Sequence, residues 1–288
     1  FFIKLFAIFF GPGVFSLRLG GFLFGLALAV PVFLFWNKLF GFATGFLASF
    51  LTSSYFGIVE YSSLARGYIY QVFFFWMSLY LALKIRQSST TKLWILFSFS
   101  LLLSIYAVPT GIYAIGIPIL FLLLQKLNPL NRKQGFKILA LVLGLGGSIL
   151  FFPPLVYHLI WGTTVRELGA NSDKWTALLE NLNALWVSFT NPTALPSRMI
   201  IFIFGLFGTW KGIKISKALA QWILSFFVWP IFIVLLLQVI PAFSRVWLFL
   251  CPLFCGLTAW TLTELIDIIF KTTGKSSTIK KAALVLIS

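Results

Sequence analysis

From Leu17 to Phe270 the sequence is a succession of apolar runs separated by short polar stretches. Nine runs stand out: Leu17–Trp36, Phe40–Ile58, Gly67–Leu83, Leu93–Val108, Gly111–Leu124, Ile138–Ile160, Met199–Trp210, Leu219–Ile240 and Val246–Phe270. A helix crosses the hydrocarbon core of a bilayer with about 20 apolar residues, fewer where the bilayer thins. Each run is therefore a candidate span, although the fourth, fifth and seventh are short and the pair flanking Pro109 also reads as one broken helix. Residues Phe1 to Pro12 are too few to span and read as an interfacial helix ended by Gly11-Pro12-Gly13. The predicted fold class is all-α: a polytopic transmembrane bundle of about nine spans, with residues 1–288 forming a single transmembrane region.

Composition agrees with that reading. The chain is 288 residues long, 60% hydrophobic and 10% charged, whereas soluble domains carry about 25% charged residues. Its 35 Phe and 11 Trp exclude an unfolded chain in water. An excess of 22 Lys+Arg over 6 Asp+Glu in a soluble protein would suggest nucleic acid. Here the basic residues fall mostly between apolar runs, so the partner implied is the lipid bilayer and no nucleic acid is expected.

Alternating the loops across nine spans puts 15 basic residues on one side, among them Lys38, Lys84, Arg86, Lys92, Arg132, Lys133, Lys211 and Lys214. The other seven, Lys4, Arg18, Arg66, Arg166, Lys174, Arg198 and Arg245, fall on the opposite side. The positive-inside rule makes the richer side cytoplasmic. Trp36, Trp94, Trp161, Trp210, Trp222 and Trp247 sit at predicted span ends, where interfacial anchors are expected. Gly21/Gly25 and Gly41/Gly45 have the spacing of helix–helix contacts, and Gly144-Leu145-Gly146-Gly147 reads as packing rather than a nucleotide loop. Cys251 and Cys255, one turn apart in an apolar run, read as packing residues. The chain starts at Phe1 and stops as a new apolar run, Ala282 to Ile287, begins, so it reads as an internal piece of a longer polytopic protein.

The one long hydrophilic stretch, residues 162–197, lies on the outer side. Trp175, Leu178, Leu179, Leu182, Leu185, Trp186 and Phe189 recur at helical spacing, after Asn171-Ser172-Asp173 and before Asn191-Pro192. An amphipathic helix on the outer membrane surface follows, serving either as an anchor or as a lid.

Charges near a bilayer are costly, so those that a spacer loop does not need mark candidate chemistry. Four features share the outer face: Arg18 after Phe15-Ser16-Leu17, Glu60 and Arg66 around Tyr61-Ser62-Ser63-Leu64-Ala65, the Pro109-Thr110 turn, and Arg245 in Pro241-Ala242-Phe243-Ser244-Arg245. Guanidinium groups gathered there suit a phosphate at headgroup depth; alternatively each arginine snorkels to lipid headgroups. Glu60 reads either as a catalytic carboxylate or as the counter-charge of a nearby arginine, the latter being favoured. His158 has no residues spaced to complete a metal set. Glu167, Asp173 and Glu180 read as solvated, and Glu264 and Asp267 as structural, with Asp267 paired to Lys271. A divalent metal is compatible with the chemistry, but no residue set supports one and no cofactor is predicted.

Several of these stretches, in order, resemble the integral-membrane GT-C glycosyltransferases, in particular the bacterial group similar to protein O-mannosyltransferases and to the aminoarabinose transferase of lipid A. They are Phe10-Gly11 with Phe15-Ser16-Leu17-Arg18-Leu19, Lys38-Leu39-Phe40-Gly41, Tyr61-Ser62-Ser63-Leu64-Ala65-Arg66-Gly67-Tyr68, Val108-Pro109-Thr110, and Pro241 to Arg245 with Pro252. Leu64 stands where many members have an acidic residue, and Val108 where many have His. The family's key acidic residues lie upstream of the element containing Phe10-Gly11.

The resemblance implies a GT-C fold and an enzyme transferring a hexose or pentose from a polyprenyl-phosphate donor to a lipid, glycan or protein hydroxyl on the outer face, in the bacterial plasma membrane rather than the endoplasmic reticulum. Arg66 and Arg245, then Arg18, would hold the donor phosphate; Tyr61, Tyr68 and Thr110 would line the pocket; Glu60 is the weak catalytic candidate. The rival classes are a transporter or flippase of a lipid-linked substrate and a non-catalytic scaffold. A transfer assay with a polyprenyl-phosphate sugar should show turnover only when an acidic outer loop precedes Phe1; turnover by residues 1–288 alone overturns that expectation.

Overall fold

The computed structural model describes residues 2–11, 13–64, 66–108, 111–124, 132–147, 196–215, 217–237 and 244–272, together with Thr176, Leu179 and Asn183. Every regular element among them is helical. The first five are α1 (Phe2–Phe10), α2 (Val14–Ala27), α3 (Ala29–Phe40), α4 (Phe42–Ser54) and α5 (Phe56–Ser63). Then come α6 (Tyr68–Gln87), α7 (Thr91–Ala107), α8 (Ile112–Leu124) and α9 (132–147). The chain continues with α10 (Pro196–Ile215), α11 (Lys217–Leu237), a 3-10 helix (Ser244–Leu250) and α12 (Cys251–Thr272).

Among the described residues, three helical stretches are long and apolar enough to cross a membrane: Val14–Phe40, Tyr68–Gln87 and Trp247–Ile269. A fourth arises if α4 and α5, bent by 56° at their junction, count as one. The stretch Val14–Phe40 joins α2 to α3 through a turn at Leu28. Pro31 accounts for that loosening, because it has no N–H to give the Ala27 carbonyl one turn earlier. At the bend between α4 and α5, Tyr55 is extended and buried (φ −69°, ψ 124°). Gly41, between α3 and α4, has φ 92°, a conformation that favours glycine.

The centre of the bundle is aromatic. Phe35 meets Trp76 edge-on at 5.4 Å and Trp222 at 4.9 Å, and Trp222 meets Phe226 at 5.0 Å. Phe75 reaches Phe249 at 5.2 Å, while the Trp76 indole donates to the Phe249 carbonyl (3.0 Å). Around this centre, rings sit on glycines of neighbouring helices. Trp36 of α3 covers Gly256 of α12, Trp94 of α7 covers Gly135 of α9, and Trp229 of α11 covers Gly116 of α8. Trp229 is fixed again by a hydrogen bond to the Ile112 carbonyl (2.9 Å). Polar ties join further pairs of neighbours: Thr44 to Thr263 at 3.0 Å joins α4 and α12, and the Thr258 hydroxyl donates to the Ile201 carbonyl (2.9 Å) between α12 and α10.

The outside is apolar. Phe22, Val30, Phe42, Phe56, Phe99, Ile203, Phe232 and Ile268 are all exposed, on a scale that water does not tolerate and lipid does. The basic ends also segregate. Lys38, Lys84 and Arg86 end their helices, Lys92 and 132–137 begin theirs, and Trp94, its ring tilted against Phe136 at 5.5 Å, brings two of these groups to one end. There Lys211 of α10 pairs with Glu264 of α12 and lies 5.5 Å from the Trp260 ring.

Two expectations change. Trp36, Trp94, Trp222 and Trp247 are buried, so these rings pack the interior rather than mark headgroups; Trp210 does lie outside, with Lys214 over its ring at 3.8 Å. Gly41 makes a turn rather than a helix contact, and Gly144 and Gly147 face open space, leaving Gly146 against Leu102. The outer stretch 162–197 falls outside the described residues except for Thr176, Leu179, Asn183 and the start of α10; those three are helical and exposed. His158, Glu167, Asp173 and Glu180 also lie outside them, as does the side chain of Lys271.

A methyl group at Gly116 would drive into the Trp229 indole, so Gly116→Ala should destabilise the protein by about 1–3 kcal/mol. Gly144→Ala, with nothing near its added carbon, should stabilise α9 by about 0.5–1 kcal/mol. Thermal unfolding in detergent distinguishes the two.

Candidate functional site

The end of the bundle opposite the Lys211–Glu264 pair is built from turns that approach one another closely. In the first, Gly11 has φ 80°, and the Ser16 hydroxyl donates to the Gly13 carbonyl (2.8 Å) while also lying against that of Gly11. That clasp starts α2 and places Arg18, exposed, one turn into it. Two turns of sequence contain Gly20, Gly21 and Gly25, all buried. A side-chain carbon at Gly21 would stand 2.9 Å from the Ser62 carbonyl oxygen and 3.2 Å from that of Leu64. Gly25 faces the Ser62 hydroxyl. The absence of side chains on this face of α2 therefore brings the Arg18 helix onto the segment that precedes Arg66.

That segment is locally closed. Ser62 donates to the Ile58 carbonyl (2.5 Å) and Ser63 to the Glu60 carbonyl (2.7 Å). The Arg66 N–H donates to the Leu64 carbonyl (2.8 Å), and the Tyr61 and Tyr68 rings meet edge-on at 5.5 Å across the turn. Glu60 and Arg66 are exposed, and Tyr61 and Tyr68 half-buried. Gly67 lies against the Ala107 carbonyl and the Val108 side chain. This seats the Arg66 turn beside the end of α7, where Pro109-Thr110 follows. On the other flank, Gly57 of α5 is close to Leu248 of the 3-10 helix, and Tyr113 of α8 is 5.8 Å from Trp247.

The elements carrying Arg18, Glu60, Arg66 and Arg245 thus adjoin at one end of the bundle. The backbone of Arg245 belongs to the 3-10 helix, but its side chain and the whole of Thr110 lie outside the described portion. Among the described residues Glu60 makes no ion pair with Arg18 or Arg66, so neither supplies the counter-charge favoured from sequence. Glu264, by contrast, is engaged by Lys211, in keeping with a structural role. Cys251 and Cys255 are buried thiols. Among the described residues no group of three His, Cys, Asp or Glu side chains is placed to hold a metal ion.

Sequence reading passes over one group at this end, Gln71, and gives another, Trp247, only the role of a span-end anchor. Gln71 of α6 and Trp247 of the 3-10 helix are buried, and among the described residues the Gln71 Nε2 and the Trp247 Nε1 have no hydrogen-bond partner. The available signal was a single amide, Gln71, within the third apolar run. Compared with protein-family models, curated proteins and solved structures, the chain matches none.

The α2 contact gives a direct test. Gly21→Val should push α2 off the 62–64 segment and speed tryptic cleavage after Arg66 several-fold. An unchanged cleavage rate would mean that the Gly21 contact does not hold this turn.

Proposed function

We propose that this chain is the membrane region of a GT-C-type glycosyltransferase with about nine spans, residing in a bacterial plasma membrane. It would act on a polyprenyl-phosphate sugar donor and a lipid, glycan or protein hydroxyl at the outer face. The observation that carries the reading is the gathering of the arginine-bearing turns, joined through Gly21 on Ser62 and Leu64, Gly67 on Ala107 and Val108, and Gly57 beside Leu248. The helices in the other six expected runs, including α7, α8 and α9, support the higher span count beyond the three or four of full length.

In the proposed reaction the acceptor oxygen bonds to the sugar's anomeric carbon as the bond from that carbon to the phosphate oxygen breaks. The departing lipid phosphate gains negative charge, which nearby guanidinium groups stabilise. Arg66, Arg245 and Arg18 take that part. Arginine suits it because its planar fork donates paired hydrogen bonds to phosphate oxygens. The acceptor's proton needs a carboxylate. On this chain Glu60 is the candidate, exposed and, among the described residues, not ion-paired. Tyr61, Tyr68 and Thr110 would line the pocket.

A transporter or flippase is the second reading, and the 56° bend between α4 and α5 favours it, since broken helices mark many transporter sites. The chemistry here gathers at one end rather than at mid-membrane, which favours the enzyme. Arg66→Ala, Arg245→Ala and Arg18→Ala should each weaken binding of a short polyprenyl phosphate in detergent about tenfold, the worth of a charge-assisted hydrogen bond. Thermal midpoints should not move. Unaltered binding in all three would favour the scaffold reading. Carrier flipping by proteoliposomes, with those variants intact, would favour the transporter.

A further inference from the structure

Four indole and amide donors buried in the core have no acceptor among the described residues: Trp36, Trp222 and Trp247 Nε1, and Gln71 Nε2. Such groups require explanation, because burial removes water without replacing it. Trp36 stands edge-to-face with Phe35 (82°, 5.6 Å) and with Trp222 (81°, 5.8 Å), and Trp222 also with Phe226 (79°, 5.0 Å), arrangements open to an N–H meeting a π face. Trp247 has no such relation to its neighbours, lying tilted by 53° to Tyr113 and 41° to Phe249.

Gln71 and Trp247 are linked through a chain of packed rings. Gln71 is one turn from Phe75 on the same face of α6, and Phe75 packs on Phe249 at 5.2 Å. Phe249 is 6.2 Å from the Trp247 ring, and Trp247 is 5.8 Å from Tyr113 of α8. The backbone here is already satisfied: the Gln71 carbonyl accepts from the Ser104 hydroxyl (3.2 Å) and the Gln71 N–H donates to the Gly67 carbonyl (3.1 Å). What remains are two neutral donors, 1% and 5% exposed, set inside the end whose rim carries the exposed Arg18 and Arg66.

Resting on the function proposed above, we infer that Gln71 and Trp247 are the donor side of a subsite for the sugar of the lipid-linked substrate. The division follows from chemistry. The anionic phosphodiester is best held by charged groups at the wet rim. A neutral polyhydroxyl ring offers acceptor oxygens that an amide N–H and an indole N–H can meet without burying a charge. Tyr113, 5.8 Å from Trp247, would supply aromatic surface against which the ring's C–H face can rest. Gln71 and Trp247 thereby select for hydroxyl-bearing sugars, since a carrier that leaves them unpaired binds less well.

The test compares a short polyprenyl phosphate with the same carrier bearing a hexose or a pentose, by calorimetry on the full chain in detergent. Wild type should bind one of the sugar-bearing carriers more tightly than the bare one. Gln71→Leu and Trp247→Phe should each weaken that binding about five- to tenfold, one hydrogen bond's worth, leave the bare carrier unaffected, and keep or raise the thermal midpoint. Variants that bind every carrier as wild type does overturn the inference but leave the proposed function standing. Wild type that binds no carrier sinks the function itself. If the variants do not fold, carriers lacking single sugar hydroxyls are tested on wild type: one must lose comparable affinity, and equal binding of all of them overturns the inference.

Discussion

The close approach of helices in this protein depends on aromatic rings resting on glycines. Inside a membrane there is no hydrophobic gain from putting one apolar helix against another, because lipid tails serve equally well. What remains is dispersion, which needs contact over a large area. A flat indole laid on bare backbone gives that area at short range. Trp36 on Gly256, Trp94 on Gly135 and Trp229 on Gly116 each join two helices distant in sequence. The aromatic centre around Phe35, Trp76 and Trp222 is reached from several of the same elements. The arginine-bearing end inherits its closeness from the same device in a smaller form, with Gly21 and Gly67 laid on carbonyl groups rather than rings.

Much of the helical layout was legible in the sequence, and for a physical reason: apolar runs bounded by polar loops leave the backbone only one way to satisfy its hydrogen bonds in lipid. Gly21 and Gly25 were readable too, since a small residue every fourth position exposes one stripe of helix. Gly41 was not, because a turn glycine and a packing glycine are the same letter at the same spacing; only its φ of 92° separates them. The tryptophans were misassigned for a related reason. A ring at the end of an apolar run suits the headgroup region, but suits equally a glycine on the next helix, and sequence does not say which helix is next.

The candidate end was legible as a set of turns but not as a site. Arg18, Glu60 and Arg66 stand out because charge is rare in this chain. Which of them pair is a matter of a few ångströms, and the sequence preference for Glu60 as a counter-charge has no support from Arg18 or Arg66. Gln71 drew no notice because an amide in an apolar run looks like tolerated polarity, and Trp247 because an indole at the end of such a run looks like a headgroup anchor. Their significance arises only from burial without a partner.

The Lys211–Glu264 pair bears on how the chain is made. Its two members belong to α10 and α12, so the lysine emerges from the ribosome well before the glutamate that neutralises it. Until α12 arrives, α10 must enter the bilayer with its lysine drawn toward the aqueous edge, and it can settle to its final depth only once the last helix docks. The order of biosynthesis therefore makes closure of this end a late event, and a chain cut short before Glu264 would leave α10 seated too shallowly.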